Sequence, residues 1–452
     1  MSVSAYPAGP ASRRQRTMWE ASVRDPRQPV FQVVFGKELR GPVEPERLER
    51  AIAGIVARHE VLRTALVPVD GVLHQFVAPS GGFRLGMHTV DPAVADRDAE
   101  VRRLAVESAR EPFDLSEPGL LRADLYRISA ERHILVVVVH HSVFDGVSRE
   151  IFDDELRAHY EGEPLEPLPI QYCDVVRYQA EARGGPQARA SLDFWSRTLA
   201  APPPRIELPG RRTGSGSKSG SRAGSAIEDF VERRIEGDAL AELTATAGRL
   251  RSTPLHLFLA SFAVLVAGRT GQTDMVIAAN TSCRNTAAES RLIGLFTGLV
   301  LLRIGIRPGD CFADLVHRVR DATLDAFEHQ DAGLDDIEAA LVGAGAEEGS
   351  LRSRVSVGVS TYRFGRSEIR FAGIEMTPFD IDLAAPARLE LAVNVGSRPG
   401  RIVVTMPFST AAYPGSVVRR HWEDWTALLE AGVRNPQAGV DELAAALPVW
   451  DS

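Results

Sequence analysis

Residues 134–146 read Ile-Leu-Val-Val-Val-Val-His-His-Ser-Val-Phe-Asp-Gly. Six apolar residues, four of them consecutive valines, run without alternation, the pattern of a strand covered on both faces. The strand gives way at once to His140, His141, Asp145 and Gly146, and then to a helix expected from about Ser148, with Ile151, Phe152 and Leu156 turned inward. A strand exit holds side chains rigidly and presents them to a crevice. Imidazole exchanges a proton near neutral pH. Glycine lets a substrate approach the backbone closely. The start of the next helix offers unpaired N–H groups and partial positive charge, suited to a developing oxyanion. Other readings of the same residues stay open at this point. His140 and His141 could ligate a metal, although no third ligand stands at helical or CxxC spacing. Both could be satisfied core residues. Ser142 could belong to a Ser–His–Asp arrangement, although no G-x-S-x-G elbow is present.

Working outward, residues 46–57 place Leu48, Ile52, Ile55 and Val56 on one helical face, and a β-rich stretch, VLRTALVPVDGVLHQFV, follows from 61. In the second half, 254–267 reads as a buried helix with Thr253 as N-cap, Pro254 at its first position and Gly268 past its end. A strand at 275–280, a helix around 311–328 and strands near 355–362, 388–395 and 401–406 follow. Both halves read as α/β sandwiches with mixed sheets. Between them, GRRTGSGSKSGSRAGSA at 210–226 has the composition of a flexible linker or long surface loop.

The 452 residues allow two to four units at roughly 100–200 residues each. A net charge of −8 argues against a nucleic-acid coat. Nearly all basic residues are arginine; lysine stands only at Lys37 and Lys218. Cys173, Cys283 and Cys311 are sparse and unpaired in spacing, which points to buried reduced thiols rather than a disulfide framework or a zinc cluster. The N-terminal stretch lacks an apolar signal-peptide core, and the run 254–267 is shorter than the ~20 residues that span a bilayer. The expectation is a cytoplasmic protein without membrane or nucleic-acid partners, permanently bound cofactor or metal.

HHSVFDG at 140–146 resembles the HHxxxDG signature of nonribosomal peptide synthetase condensation domains, within the chloramphenicol-acetyltransferase-like superfamily. Further resemblances follow in the family's order: SRRQRTMW at 12–19, RHEVLRTAL at 58–66, YCDVV at 172–176, LDFWSRTLAAPPPRIELPGRR at 192–212, IGLFTGLVLLR at 293–303 and HQDAGLDDI at 329–337. Together they span almost the whole chain. Thr297 and Gly298 stand where the family usually has Val-Asn, and Ala332-Gly333-Leu334 replaces an apolar-Pro-Phe sequence, so an atypical substrate preference is expected.

The resemblance implies an α/β fold of two chloramphenicol-acetyltransferase-like lobes in a V-shaped pseudo-dimer, with the active site at the lobe junction. The expected division is an N-terminal lobe at 1–178 carrying HHSVFDG, a crossover and Gly/Ser/Arg-rich linker at 179–227, and a C-terminal lobe at 228–452. It further implies a peptidyl carrier protein as donor, its 4′-phosphopantetheine arm delivering an aminoacyl or acyl thioester. The acceptor is a small amine or alcohol, and the product an amide or ester in natural-product (antibiotic) biosynthesis. His141 is expected at the nucleophile, Gly146 N–H at the thioester oxygen and His140 as the residue fixing the loop. Asp145, paired with Arg63, is expected to support the catalytic loop structurally. One condensation unit filling the chain suggests a free-standing enzyme, with relatives in enediyne pathways that acylate a core alcohol. The alternatives are an epimerisation domain, an acyl-CoA-dependent acyltransferase and a non-catalytic recruitment domain. Heterocyclisation relatives, which carry Asp in place of the first histidines, are excluded by His140 and His141.

Overall fold

The computed structural model describes residues 6–24, 31–79, 82–212, 228–347, 349–363, 368–381 and 389–450. Its chain divides into two compact units.

The first unit is built on a six-stranded sheet. Its order is Ile369–Phe371, Ile374–Phe379, Gln32–Arg40, Arg132–His140, Leu121–Ser129 and Leu85–Thr89, with only the last pair parallel. The Ile134–Val139 run lies near its centre and is fully buried. Leu135, Val137 and Val139 face a core shared with Leu48, Ile52, Ile55, Phe152 and Leu156 of helices Pro45–Arg58 and Gly146–Glu161. Ile134, Val136 and Val138 face a second core with Val101 and Ala105 of helix Arg97–Arg110. The missing alternation in sequence thus corresponds to a strand with two apolar faces. A smaller sheet pairs Tyr6–Pro10 with the hairpin Thr64–Val69/Val72–Val77; the start of the predicted β-rich stretch is instead a 3₁₀ turn, Glu60–Arg63.

The second unit has its own six-stranded mixed sheet, in the order Gly298–Gly305, Asp274–Thr281, Val357–Arg363, Leu391–Arg398, Arg401–Ser409, Glu228–Glu236. Helix Pro254–Thr270 is buried continuously from His256 to Val266 against this sheet. The helix runs past the expected stop: Gly268 lies inside it, where a Cβ would come 2.7 Å from Leu447 Cδ1, and Gly271 with φ 73° is the true left-handed cap.

The boundaries differ from the sequence expectation. The first unit comprises Met1–Arg183, Arg284–Thr297 and Phe364–Leu383, so two segments of the second half belong to it. Strand Ile374–Phe379 pairs with the edge of Gln32–Arg40, and the backbone of 292–297 is held by side chains of the first unit. In the expected crossover, helix Pro186–Thr198 buries Trp195 in the second unit's core, and at the start of the expected linker Arg211 forms a two-pronged ion pair with Glu390 at 2.9 and 2.7 Å. The rest of the predicted linker, from 213 on, lies outside the described residues. Of the cysteines, Cys173 and Cys283 are buried, whereas Cys311 is half-exposed at a helix N-cap. Among the described residues no single helix is long and apolar enough to cross a membrane.

Candidate active site

Strand Arg132–His140 ends in a 3₁₀ turn, His141–Val143, and helix Gly146–Glu161 follows directly behind it. Within this short loop the two histidines are fixed in opposite tautomers. The His141 Nδ1 lies 2.6 Å from the Phe144 carbonyl oxygen, which can only accept; Nδ1 therefore carries a proton, and in the neutral ring Nε2 holds the lone pair. The His141 N–H also donates to Phe31 O at 2.7 Å. His140 is the reverse. Its Nδ1 accepts from the Ser142 N–H at 3.2 Å and the Ser142 hydroxyl at 2.7 Å, so its proton sits on Nε2, 3.5 Å from Ser22 Oγ. Burial, and secondarily the neighbouring His141, push the His140 imidazole down to about 4. His140 is a neutral, buried loop fastener, whereas His141 is only half-buried.

Asp145 is the N-cap of the following helix, and Oδ1 accepts from Ser148 N–H at 2.9 Å. Its partner is not Arg63. Arg284, just past the end of strand Asp274–Thr281, reaches Asp145 Oδ2 with Nη1 at 2.6 Å and Oδ1 with Nη2 at 3.1 Å. Arg63 instead donates to the Ala78 carbonyl and stands 3.5 Å from Glu60, tying the 3₁₀ turn to the hairpin. Burial alone would raise the Asp145 carboxyl, but Arg284 and the Ser148 hydrogen bonds hold it below the ordinary carboxylate range. The family resemblance offered Arg63, as the second arginine of RHEVLR at 58–63; no local pattern distinguishes Arg284.

The backbone of 293–297 is fastened by side chains from four separate stretches. The Ile293 N–H donates to His59 Nδ1 at 3.2 Å. The Gly294 N–H donates to Ser148 Oγ at 3.0 Å. Leu295 O accepts from the Tyr172 hydroxyl at 2.9 Å, and Phe296 O from Arg14 Nη1 at 2.6 Å. The N–H groups of Phe296 and Thr297 both donate to Asp145 Oδ2, at 3.0 and 3.3 Å. The contact to Thr297 uses only its backbone, which any residue supplies, so the departure there leaves this fastening intact.

Gly146 is exposed, its φ is not in the left-handed region, and a Cβ built on it meets nothing within 4 Å. Neither backbone conformation nor packing against the protein calls for glycine here. Its N–H, in the first helical turn, has no intrahelical acceptor.

A family model for condensation domains matches residues 7–448. The chain belongs to the condensation-domain family. It is 28% identical over 453 residues to one of the linear gramicidin synthase proteins of Brevibacillus parabrevis, covering 96% of this chain and 6% of that protein. The chain thus spans well under a tenth of that relative's length. Its fold is shared with an X-domain from teicoplanin biosynthesis, solved in complex with OxyB, at TM-score 0.80 and 21% identity over 98% of this chain and 96% of that one. A second structural neighbour, SgcC5 of Streptomyces globisporus, solved with a naphthyl ethanediol and sucrose, gives TM-score 0.73 and 21% identity, covering 95% and 100%.

The condensation-domain motifs acquire distinct physical roles. The stretches 12–19, 58–66 and 172–176 supply Arg14, His59 and Tyr172, and HHSVFDG supplies Asp145 with Ser148 close behind, all bound to the stretch 293–303. In the second unit, the stretch 329–337 is structural: His329 stacks on Phe194 at 4.1 Å, and its carbonyl accepts from Trp195 Nε1 at 2.9 Å. The Ser–His–Asp reading fails on geometry, because Ser142 is fully buried against His140 and Asp145 is bound to Arg284. Sequence reasoning missed Arg284, Ser148, His59 and Arg14 as supports. The one available signal was a buried acid that required a cation somewhere.

Proposed function

We propose that this condensation domain transfers an aminoacyl or acyl group from the phosphopantetheine thioester of a carrier protein to a small amine or alcohol. The observation that carries the reading is the His141 tautomer: Nδ1–H is held by Phe144 O, which leaves a basic Nε2 on a half-buried ring. The acceptor's nitrogen or oxygen attacks the thioester carbonyl carbon while His141 Nε2 takes its proton. The carbonyl oxygen gains charge and is met by the Gly146 N–H at the positive end of the helix. The C–S bond then breaks, and the proton passes from His141 to the departing pantetheine sulfur. General-base assistance of this kind is worth roughly 10²–10⁴-fold. His140, Asp145 and Arg284 touch no reacting atom in this scheme and hold the loop. The diol bound to SgcC5 favours an alcohol among the two acceptor classes.

The recruitment reading draws support from the teicoplanin X-domain, whose structure contains a bound OxyB. Against it stand the intact His141 and Gly146. An intact-mass assay of loaded carriers with amine and alcohol acceptors decides. Loss of the acyl group with matching formation of amide or ester is expected. A carrier that stays loaded across an acceptor panel, yet binds the chain, would favour recruitment.

A further inference from the structure

A buried histidine outside the signature is wired to the catalytic loop. His59 caps the C-terminal end of helix Pro45–Arg58 and is 1% exposed. Its Nδ1 accepts the Ile293 N–H at 3.2 Å; a backbone N–H can only donate, so the ring proton resides on Nε2. That proton faces Glu155 Oε2 at 3.0 Å, while Glu155 Oε1 accepts from Arg58 Nε at 2.9 Å. Arg58 is anchored in turn by its Nη2 on Glu166 O at 2.7 Å. The imidazole therefore has one allowed tautomer and one orientation.

Glu155 belongs to the same helix that starts at Gly146, and Ile293 lies three residues before the first of the two N–H groups that Asp145 accepts. The segment 293–297 is thus held at one end by His59 and at the other by the N-cap of that helix. We propose that His59, oriented by Glu155, is a positioning residue for acyl transfer: through Ile293–Thr297 it fixes Asp145 and hence the direction of the Gly146 N–H. This rests on the acyl-transfer reading for its kinetic consequence only; the mechanical coupling is independent of it.

Two amide replacements separate the imidazole's two bonds. His59→Asn places an oxygen near the Nδ1 position and keeps an acceptor for Ile293. His59→Gln places an NH₂ near the Nε2 position and keeps the donor to Glu155 but not the acceptor. Amide hydrogen exchange is read at Ile293, Phe296 and Thr297, beside kcat and KM with a loaded carrier. His59→Gln is expected to speed exchange at all three amides by roughly tenfold or more and to lower kcat by at least as much with KM little changed. His59→Asn is expected to retain most of the protection and of kcat. Glu155→Leu, which releases the ring without removing Nδ1, is the second variant should His59→Gln not fold, and is expected to speed exchange at Phe296 and Thr297. Unchanged protection of Phe296 and Thr297 in a folded His59→Gln or Glu155→Leu protein overturns the proposal. So do Asn and Gln variants with equal losses. If the wild-type chain transfers no acyl group, the acyl-transfer reading falls, and the exchange data still decide the coupling.

Discussion

Asp145 and Arg284 form a two-pronged ion pair at 2.6 and 3.1 Å between two side chains that are 0% and 3% exposed. Pairs so deeply buried matter mainly through what is left behind when one partner goes. An uncompensated buried charge costs about 3–5 kcal/mol, whereas removing both charges can be close to neutral. Arg284→Met and Asp145→Asn should each lower the melting temperature strongly, and the double variant should recover part of the loss. Arg63→Met should be much milder, because Arg63 holds a carbonyl and the distant Glu60 rather than Asp145. Equal losses from Arg63 and Arg284 would return Asp145's support to Arg63.

His141 should behave oppositely. Its ring is half-buried and its Nδ1–H bonds within the loop, to Phe144 O, so His141→Ala should leave thermal melting near wild type while lowering turnover by roughly 10²–10⁴-fold. Turnover within a few-fold of wild type would remove His141 from the chemistry.

Stability should fall on mild acidification. Three buried histidines, His140, His256 and His421, are each pushed down to about 4, chiefly by burial. In the unfolded chain they protonate near 6.5. Between these values the unfolded state binds more protons, so stability present above pH 6.5 is lost as pH falls toward 4. Each histidine contributes at most about 3 kcal/mol over that window, or about 1.4 kcal/mol per pH unit. Burial also lowers His133 and His159 in the first unit, so the melting of both units should slope with pH. His421→Gln, which can keep the donor to Pro209 O, should lessen that slope by about one proton. Melting that is flat from pH 7 to pH 5 would contradict the buried neutral assignment.

The strand and the signature were legible because both are local. An unbroken apolar run announces two covered faces, and 134–139 has them. The helix start at Gly146 was within two residues of expectation. What sequence could not show is non-local and carried by backbone atoms. Arg284 meets Asp145 across 139 positions, and the segment 293–297 is held through N–H and C=O groups that carry no residue identity. The segment 369–379 adds strands to a sheet whose other members all lie before residue 141, and no periodicity encodes which edge a strand will join. Gly268 misled for a different reason. A glycine near a helix end reads as a cap, yet this one admits the Leu447 side chain, and the cap stands three residues on.

Gly146 allows a test in which fold and chemistry separate cleanly. It occupies the first position of the helix, where proline is well tolerated because that N–H has no intrahelical acceptor. The preceding Asp145 is extended, with φ −130° and ψ −174°, the conformation that a residue before proline prefers. Gly146→Pro therefore should fold with near-normal melting but present no N–H to the thioester oxygen. Loss of one such donor costs roughly 10²–10³ in kcat. Gly146→Ala keeps the N–H and adds a methyl that meets no protein atom within 4 Å, so any loss of activity in that variant reports contact with substrate. The expected order is wild type, then Ala, then Pro, with all three melting alike. If Pro retains the activity of Ala, the Gly146 N–H is not the oxyanion donor, and the glycine serves only to leave room.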